Sequence, residues 1–181
     1  ETELGEKDGY RFVNQTTIAI PKNFEWEKVW SVLVESCQRC ADVAARHGKT
    51  VIMEPRVGEV ICSVDSLLRL IEYVDRPNFK ANFDTGHFSA QRENVVLALE
   101  KLKGKFGNIH VSDNDPMNAD HLPVGDGTVD WKEFFRVLNR NGYDGYLGLD
   151  LGMSKSLIAD YRKSVRRLQA IGKQLRISVE V

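Results

Sequence analysis

The sequence predicts an α/β fold, a parallel sheet covered by helices, and three observations carry that expectation. Strand-like and helix-like apolar patterns alternate along the chain. They do so four times, at a spacing of roughly 30 residues, the size of a βαβ unit. The strand segments read as apolar on both faces except at their final residues, as buried parallel strands do. Two closures fit this alternation: an open doubly wound sheet, or a (β/α)8 barrel.

Each element follows from its own residues. Residues 1–22 carry mixed charge, Gly5 and Gly9 and no clear period, and read as a loop with a short extended stretch at Thr17–Ile20. From Glu25 to Arg46, Trp26, Val29, Trp30, Leu33, Cys37, Cys40, Ala41 and Ala44 form one helical face. Asn23 is the predicted N-cap of that helix, and His47-Gly48 its end. Thr50–Met53 is a β-branched apolar run that ends in Glu54-Pro55. Ser63–Val74 is helical with Ser63 as cap, and Phe79–Phe83 is a strand that ends in Asp84. Residues 89–103 read as one helix, Asn108–Val111 as a strand containing His110, and Asp113–Thr128 as a polar loop. A helix over 131–141, a strand over Tyr146–Leu151 and a basic helix over Lys155–Lys173 complete the pattern. The tail Arg176–Val181 alternates polar and apolar residues, as a short strand or a disordered end would.

Composition narrows the function classes. The 181 residues are 42% hydrophobic and 28% charged with a net charge of −1, which predicts a single soluble domain rather than a disordered chain. That domain would span residues 1–181, with a loop at 1–22, βα units at 23–175 and a tail at 176–181. No apolar run reaches the ~20 residues that cross a bilayer. Glu1 to Asp8 are acidic and polar, so no signal peptide is expected in the chain. Balanced charge argues against a nucleic-acid partner. Three cysteines, Cys37, Cys40 and Cys62, are too few for a disulfide framework and suggest a reducing, cytoplasmic setting. Cys37-Gln38-Arg39-Cys40 lacks a second ligand pair for zinc and lies inside a helical pattern, so both thiols are expected to be small buried helix residues. Trp26, Trp30 and Trp131 are expected to pack in the core. Arg162, Lys163, Arg166, Arg167 and Lys173 make one side of the last helix basic, a solvated face or a subunit interface.

The chemistry-bearing residues sit at strand ends. Glu54 ends the first strand and Asp84 the second, with His87 following it; His110 and Asp150 lie late in the third and fourth. Parallel strands bring their C-terminal ends to one face, so these groups converge where barrel enzymes build their sites. Carboxylates with an imidazole suit Mn, Mg, Co, Fe or Zn. His121 and Gly125-Asp126-Gly127 are expected to form a lid or rim of that site, since the glycines allow a tight fold and no phosphate-loop Lys-Ser/Thr follows.

Met53-Glu54-Pro55, Phe83-Asp84-Thr85-Gly86-His87, His110-Val111-Ser112-Asp113, His121-Leu122-Pro123-Val124-Gly125-Asp126-Gly127, Asp130-Trp131 and Gly142-Tyr143-Asp144-Gly145 occur in this order from about Trp26 to Leu151. Together they resemble the xylose isomerase-like TIM barrel superfamily, which includes sugar-phosphate isomerases/epimerases and endonuclease IV. The resemblance implies a (β/α)8 barrel and a divalent-metal-dependent sugar isomerase or epimerase of carbohydrate metabolism. It implies Glu54, Asp84, His110 and Asp150 as metal ligands. Glu54 and Asp150 would be the acid/base pair, working through a metal-stabilised enediolate. His87, Arg56, Glu59 and His121 would contact the substrate, a small sugar or polyol.

The chain also departs from that pattern. Asp150 stands where the family has Glu, one methylene longer, and Pro116 stands about where ketose epimerases place a substrate-binding Arg. Ala119-Asp120-His121 lacks the first Asp of the endonuclease Asp-x-His pair, which argues against DNA repair. Two alternatives stay open: a lyase or dehydratase with the same metal site, and a non-catalytic barrel fragment. A full barrel takes ~250 residues. The clear strands match strands five to eight, so a partial barrel is expected, completed by a missing N-terminal half-barrel or a second, homo-oligomeric copy.

Overall fold

Residues 20–115, 120–152 and 154–180 are described in a computed structural model. Four strands, β1 (Val51–Met53), β2 (Phe79–Asp84), β3 (Phe106–Val111) and β4 (Leu147–Leu149), pair in parallel in chain order. The described helices are α1 (Trp26–Arg46), α2 (Val64–Val74), α3 (Thr85–Ala90), α4 (Val95–Lys101), α5 (Trp131–Arg140) and α6 (Leu157–Leu175). The sheet is open, as expected for a partial barrel: among the described residues, β1 and β4 are each paired on one side only. The predicted stretch at 17–19 lies outside the described residues, and Ile20 is exposed.

Strand alternation divides the sheet into two unlike faces. On the helix side, Phe79, Ala81, Phe83, Ile109 and Val111 are buried against Leu67, Leu70, Val74, Phe134 and Leu138. Phe83 is at the centre, with ring centroids 5.0 Å from Phe88 and 6.1 Å from Phe134. Phe83→Ala is expected to lower unfolding stability by about 3–5 kcal/mol, since these rings cannot collapse into the void; a urea titration measures it. The other face carries Lys80, Asn82, Asp84, Asn108 and His110, so the strands are not apolar on both faces. The free inner face of an open barrel segment tolerates polar side chains that a two-sided helix cover would not.

A β-bulge decides where His110 points. Ala81 pairs with Phe106 but Asn82 pairs with Asn108, which leaves Gly107 as the extra residue. Phe106 lies among the helix-side aromatics, 5.3 Å from the Tyr143 ring, whereas Asn108 donates to Asn82 on the inner face (3.1 Å). The extra residue reverses the alternation between Phe106 and Asn108 and so turns His110 inward.

Several expectations are corrected. The helix read at 89–103 is two helices, because Asp84 caps α3 immediately after β2. The chain then turns at Arg92 (φ 60°), and Asn94 caps α4 by accepting from the Leu97 N–H at 2.9 Å. Asn23 is not the cap of α1; Glu25 flanks that helix without a side-chain capping bond. Ser63 caps α2 in a capping box with Ser66. β3 starts at Phe106 rather than Asn108, β4 is only Leu147–Leu149 with Tyr146 exposed, and α6 runs two residues later than expected. Cys37 is buried but Cys40 is exposed, and Trp26 is part-exposed against Trp30, at 6.1 Å between ring centroids. The tail is irregular, but Ile177 and Val179 pack back on the core across Gly172, where a Cβ would meet Val179 Cγ2 at 2.6 Å. Among the described residues no helix is long and apolar enough to cross a membrane.

Candidate metal and acid–base site

Glu54, Asp84, His110 and Asp150 converge at the C-terminal ends of β1, β2, β3 and β4, Asp84 and His110 within their strands and Glu54 and Asp150 just past theirs. One ligand-type atom from each lies within 4.8 Å of all the others. His110 Nδ1 is 2.9 Å from Glu54 Oε1, 3.5 Å from Asp84 Oδ2 and 3.9 Å from Asp150 Oδ2. The Asp84 and Glu54 carboxylates outweigh partial burial and push the His110 pKa up to about 10. Asn82 Nδ2 donates to the same Glu54 oxygen at 2.5 Å; sharing that acceptor leaves it 3.0 Å from His110 Nδ1.

Asp84 is fully buried and does two jobs. Oδ1 accepts the His87 N–H at 2.9 Å and starts α3. Oδ2 is buried and receives no hydrogen bond of normal length. A buried carboxylate oxygen left over in this way, facing an imidazole and two more carboxylates, is the donor set a divalent cation would complete.

A second group adjoins the first. Asp84, His87 and His121 also offer mutually close ligand-type atoms, and the two imidazole rings meet edge to face at 4.8 Å. Burial pulls the His87 pKa down, against the pull of Asp84. Burial also pulls on His121, but its hydrogen bonds to Asp150 and the charge of Asp84 leave it raised. Asp150 is held below the usual carboxylate range, first by the His121 hydrogen bond and against its own desolvation. His121 Nδ1 is 3.1 Å from the Asp150 carbonyl oxygen, 3.4 Å from Asp150 Oδ2 and 3.2 Å from Ser112 Oγ. A carbonyl only accepts, so Nδ1 carries the proton in that bond.

The two remaining expected substrate contacts are less enclosed. Arg56 is exposed just past β1, where its charge opposes protonation of His87. Glu59 is exposed in the turn closed by its own N–H on the Arg56 carbonyl, outside both ligand groups. Pro116 and Ala119 lie outside the described residues.

The 121–130 segment is a pinned rim rather than a lid. Asp113 and Leu122 exchange backbone hydrogen bonds. Arg167 donates to the Val124 carbonyl (2.6 Å) and to Asp126 Oδ1 (2.5 Å), and Lys163 also donates to Asp126. Lys163 and Arg167 therefore hold the rim, and only Arg162, Arg166 and Lys173 of the basic residues form an exposed face. Lys163 and then Arg167 depress the Asp126 pKa, against desolvation. A depressed carboxyl stabilises the fold above its unfolded value of ~3.9 and loses that contribution as pH falls through its folded value. Asp126→Asn is expected to cost under ~1 kcal/mol at neutral pH, a half-exposed ion pair being screened. The difference from wild type should vanish in urea titrations carried to acid pH.

Not anticipated from the sequence were Asn82, Asn108, Ser112, Asp113 and Asn114, whose hydrogen bonds reach Glu54 and His121 or the segments that carry them. An amide within an otherwise apolar strand was a readable signal, because buried polar groups demand partners. Asp113 and Asn114 resemble ordinary loop residues until the loop is folded.

A family model described as "Xylose isomerase-like TIM barrel" matches residues 5–171. Inosose dehydratase from Geobacillus thermodenitrificans is 23% identical over 162 residues, 80% of this chain and 54% of that protein. Fructoselysine 3-epimerase from Escherichia coli O157:H7 is 26% identical over 126 residues, 68% of this chain and 46% of that protein. The chain thus spans about half the length of the curated relatives it matches. Among solved structures, 3-keto-D-glucoside 4-epimerase from E. coli superposes with a TM-score of 0.74 at 21% identity, covering 89% of this chain and 60% of that one. A D-tagatose 3-epimerase-like protein gives 0.71 at 21% identity, over 86% and 61%. By the family model, over nearly its whole length, the chain belongs to the xylose isomerase-like TIM barrel family.

Proposed function

We propose that the chain carries the reactive centre of a divalent-metal-dependent enzyme that isomerises or epimerises a sugar or polyol derivative. The observation that carries this reading is the convergence of Glu54, Asp84, His110 and Asp150 from four successive strands. The curated relative named a 3-epimerase supports it.

Glu54, Asp84, His110 and Asp150 would hold the ion, one of Mn, Mg, Co, Fe or Zn. When bound, such an ion supplies positive charge beside a carbonyl and its neighbouring hydroxyl, which acidifies the C–H between them. Glu54 and Asp150 follow β1 and β4, the two outer strands of the described sheet, and would flank the substrate. One carboxylate takes the proton from carbon while the C–H electron pair moves toward the carbonyl oxygen. The other returns a proton to the opposite face, and configuration inverts with no atom lost. Asn82 fixes the Glu54 oxygen, and His121 holds Asp150. His87, Arg56, Glu59 and the Nε2 side of His121 would bind the hydroxyls. The remaining strands of a closed barrel, from the same polypeptide or another chain, would pair on the edges of β1 and β4.

A dehydratase reading has its own support, because the relative named inosose dehydratase covers 80% of this chain. It shares the proton abstraction but expels a β-hydroxyl as water instead of returning the proton. Incubation with Mn2+ and a panel of ketoses and inososes in D2O, followed by NMR, separates the two. Epimerisation places deuterium on the carbon beside the carbonyl with the formula otherwise unchanged, and dehydration yields a product lighter by one water. Glu54→Gln is expected to abolish either outcome. Undiminished turnover by metal-stripped protein would refute metal dependence.

A further inference from the structure

We propose that Asn114 is a positioning residue that sets Asp150, acting through His121. The inference deepens the site reading above, and its metal-binding arm rests on that reading.

Asn114 is fully buried and every polar atom of its side chain is used. Oδ1 accepts the His121 N–H at 2.7 Å, and Nδ2 donates to the Gly86 carbonyl at 2.7 Å. One partner can only donate and the other only accept, so the amide has a single orientation. Its backbone is equally held, with the N–H on Asp113 Oδ1 (3.0 Å) and the carbonyl accepting from the Thr128 N–H (3.1 Å) and hydroxyl (3.2 Å). Gly127 packs so close that a Cβ there would collide with the Asn114 carbonyl oxygen.

What this rigid amide holds is strained. His121 has φ +48°, a left-handed conformation that a residue with a Cβ adopts only under constraint. Asn114 takes its N–H, and the Gly152 N–H donates to its carbonyl at 2.8 Å. Gly152 lies two residues past Asp150, at a point where a Cβ would strike the Asp120 carbonyl oxygen. The His121 ring then reaches the Asp150 carbonyl at 3.1 Å and its carboxylate at 3.4 Å.

Asp150 needs such a hold. It lies past the end of the three-residue strand β4, its side chain is 47% exposed, and its carboxylate is a methylene shorter than a glutamate's. Asp84, by contrast, is enclosed on all sides. Clamped at both His121 backbone groups, the imidazole supplies the constraint that packing supplies to Asp84.

The test is a mutant cycle read by Mn2+ calorimetry on the intact chain. Asn114→Ala should weaken Mn2+ binding by about tenfold or more, as loss of a ligand's supporting partner does. The double variant with Asp150→Asn should bind no more weakly than Asp150→Asn alone, the signature of two residues acting through one path. Wild-type affinity in folded Asn114→Ala, or additive effects in the double variant, would overturn the proposal. If the wild type binds no Mn2+, the metal reading fails and crystal structures decide the positioning claim. An Asp150 carboxylate displaced from His121 in Asn114→Ala supports it, and an unmoved one overturns it. Asn114→Ser, a milder truncation, takes the same arms if Asn114→Ala does not fold.

Discussion

Replacing Asp84 with Asn is expected to weaken Mn2+ binding by about two orders of magnitude or more, about 3 kcal/mol, while leaving helix α3 in place. The two carboxylate oxygens have separable tasks. Oδ1 accepts the His87 N–H, a bond an amide oxygen also makes, so the helix start survives. Oδ2 is the buried oxygen without a normal hydrogen bond, and an Asn NH2 there would present protons to the ion and to His110. Asp84→Ala removes both tasks and should cost a further ~1 kcal/mol of stability from the lost cap. Mn2+ calorimetry, with circular dichroism as the control for α3 and the fold, measures the split. Undiminished Mn2+ affinity in Asp84→Asn would remove Asp84 from the ligand set.

Asp113→Ala is expected to be the most destabilising single change near the site, at about 3–5 kcal/mol in urea denaturation. Asp113 is fully buried and accepts four hydrogen bonds. Oδ1 takes the N–H groups of Asn114 (3.0 Å) and Val129 (3.1 Å), and Oδ2 takes the Gly125 N–H (2.7 Å) and the Trp131 indole N–H (2.7 Å). Removing the acceptor strands four buried donors, each worth about 1–3 kcal/mol if left unmet, less what water recovers. Asp113→Asn should cost nearly as much, because its NH2 faces two donors in place of one oxygen. Trp131→Phe, which withdraws one donor and leaves the carboxylate three, should cost clearly less. The Asp113 variants should also loosen the 121–130 rim and with it His121, so Mn2+ affinity is expected to fall alongside stability.

These expectations rest on features that differed in how far they could be read in advance. Glu54, Asp84, His110 and Asp150 were legible because each is a ligand-type residue at the end of an apolar segment, and parallel strands end on one face. Ser63 was legible as a cap because its role depends on neighbours three residues away. The break between α3 and α4 was not: Asp84 had to be both strand end and helix cap, a double role that periodicity does not register. Cys40 and Trp26 fell on the predicted apolar face of α1 but at its margins, where neighbouring elements, not helical phase, decide burial.

The sequence by itself determined the alternation of strands and helices, the parallel sheet it requires, the family, and the residues that could meet at the strand ends. Those depend on patterns within a few residues and on the rule that parallel ends emerge together. Only the tertiary structure decided that His110 faces the site, because that turns on one extra residue, Gly107, in the pairing of β2 with β3. Only it showed that Asn82 and Asn108 line the inner face, that Lys163 and Arg167 hold Asp126, and that Asn114 grips a strained His121 beside Asp150. The physical reason is common to all of these. Each is a contact between segments far apart in the chain, fixed by register and burial, and local spacing carries no record of either.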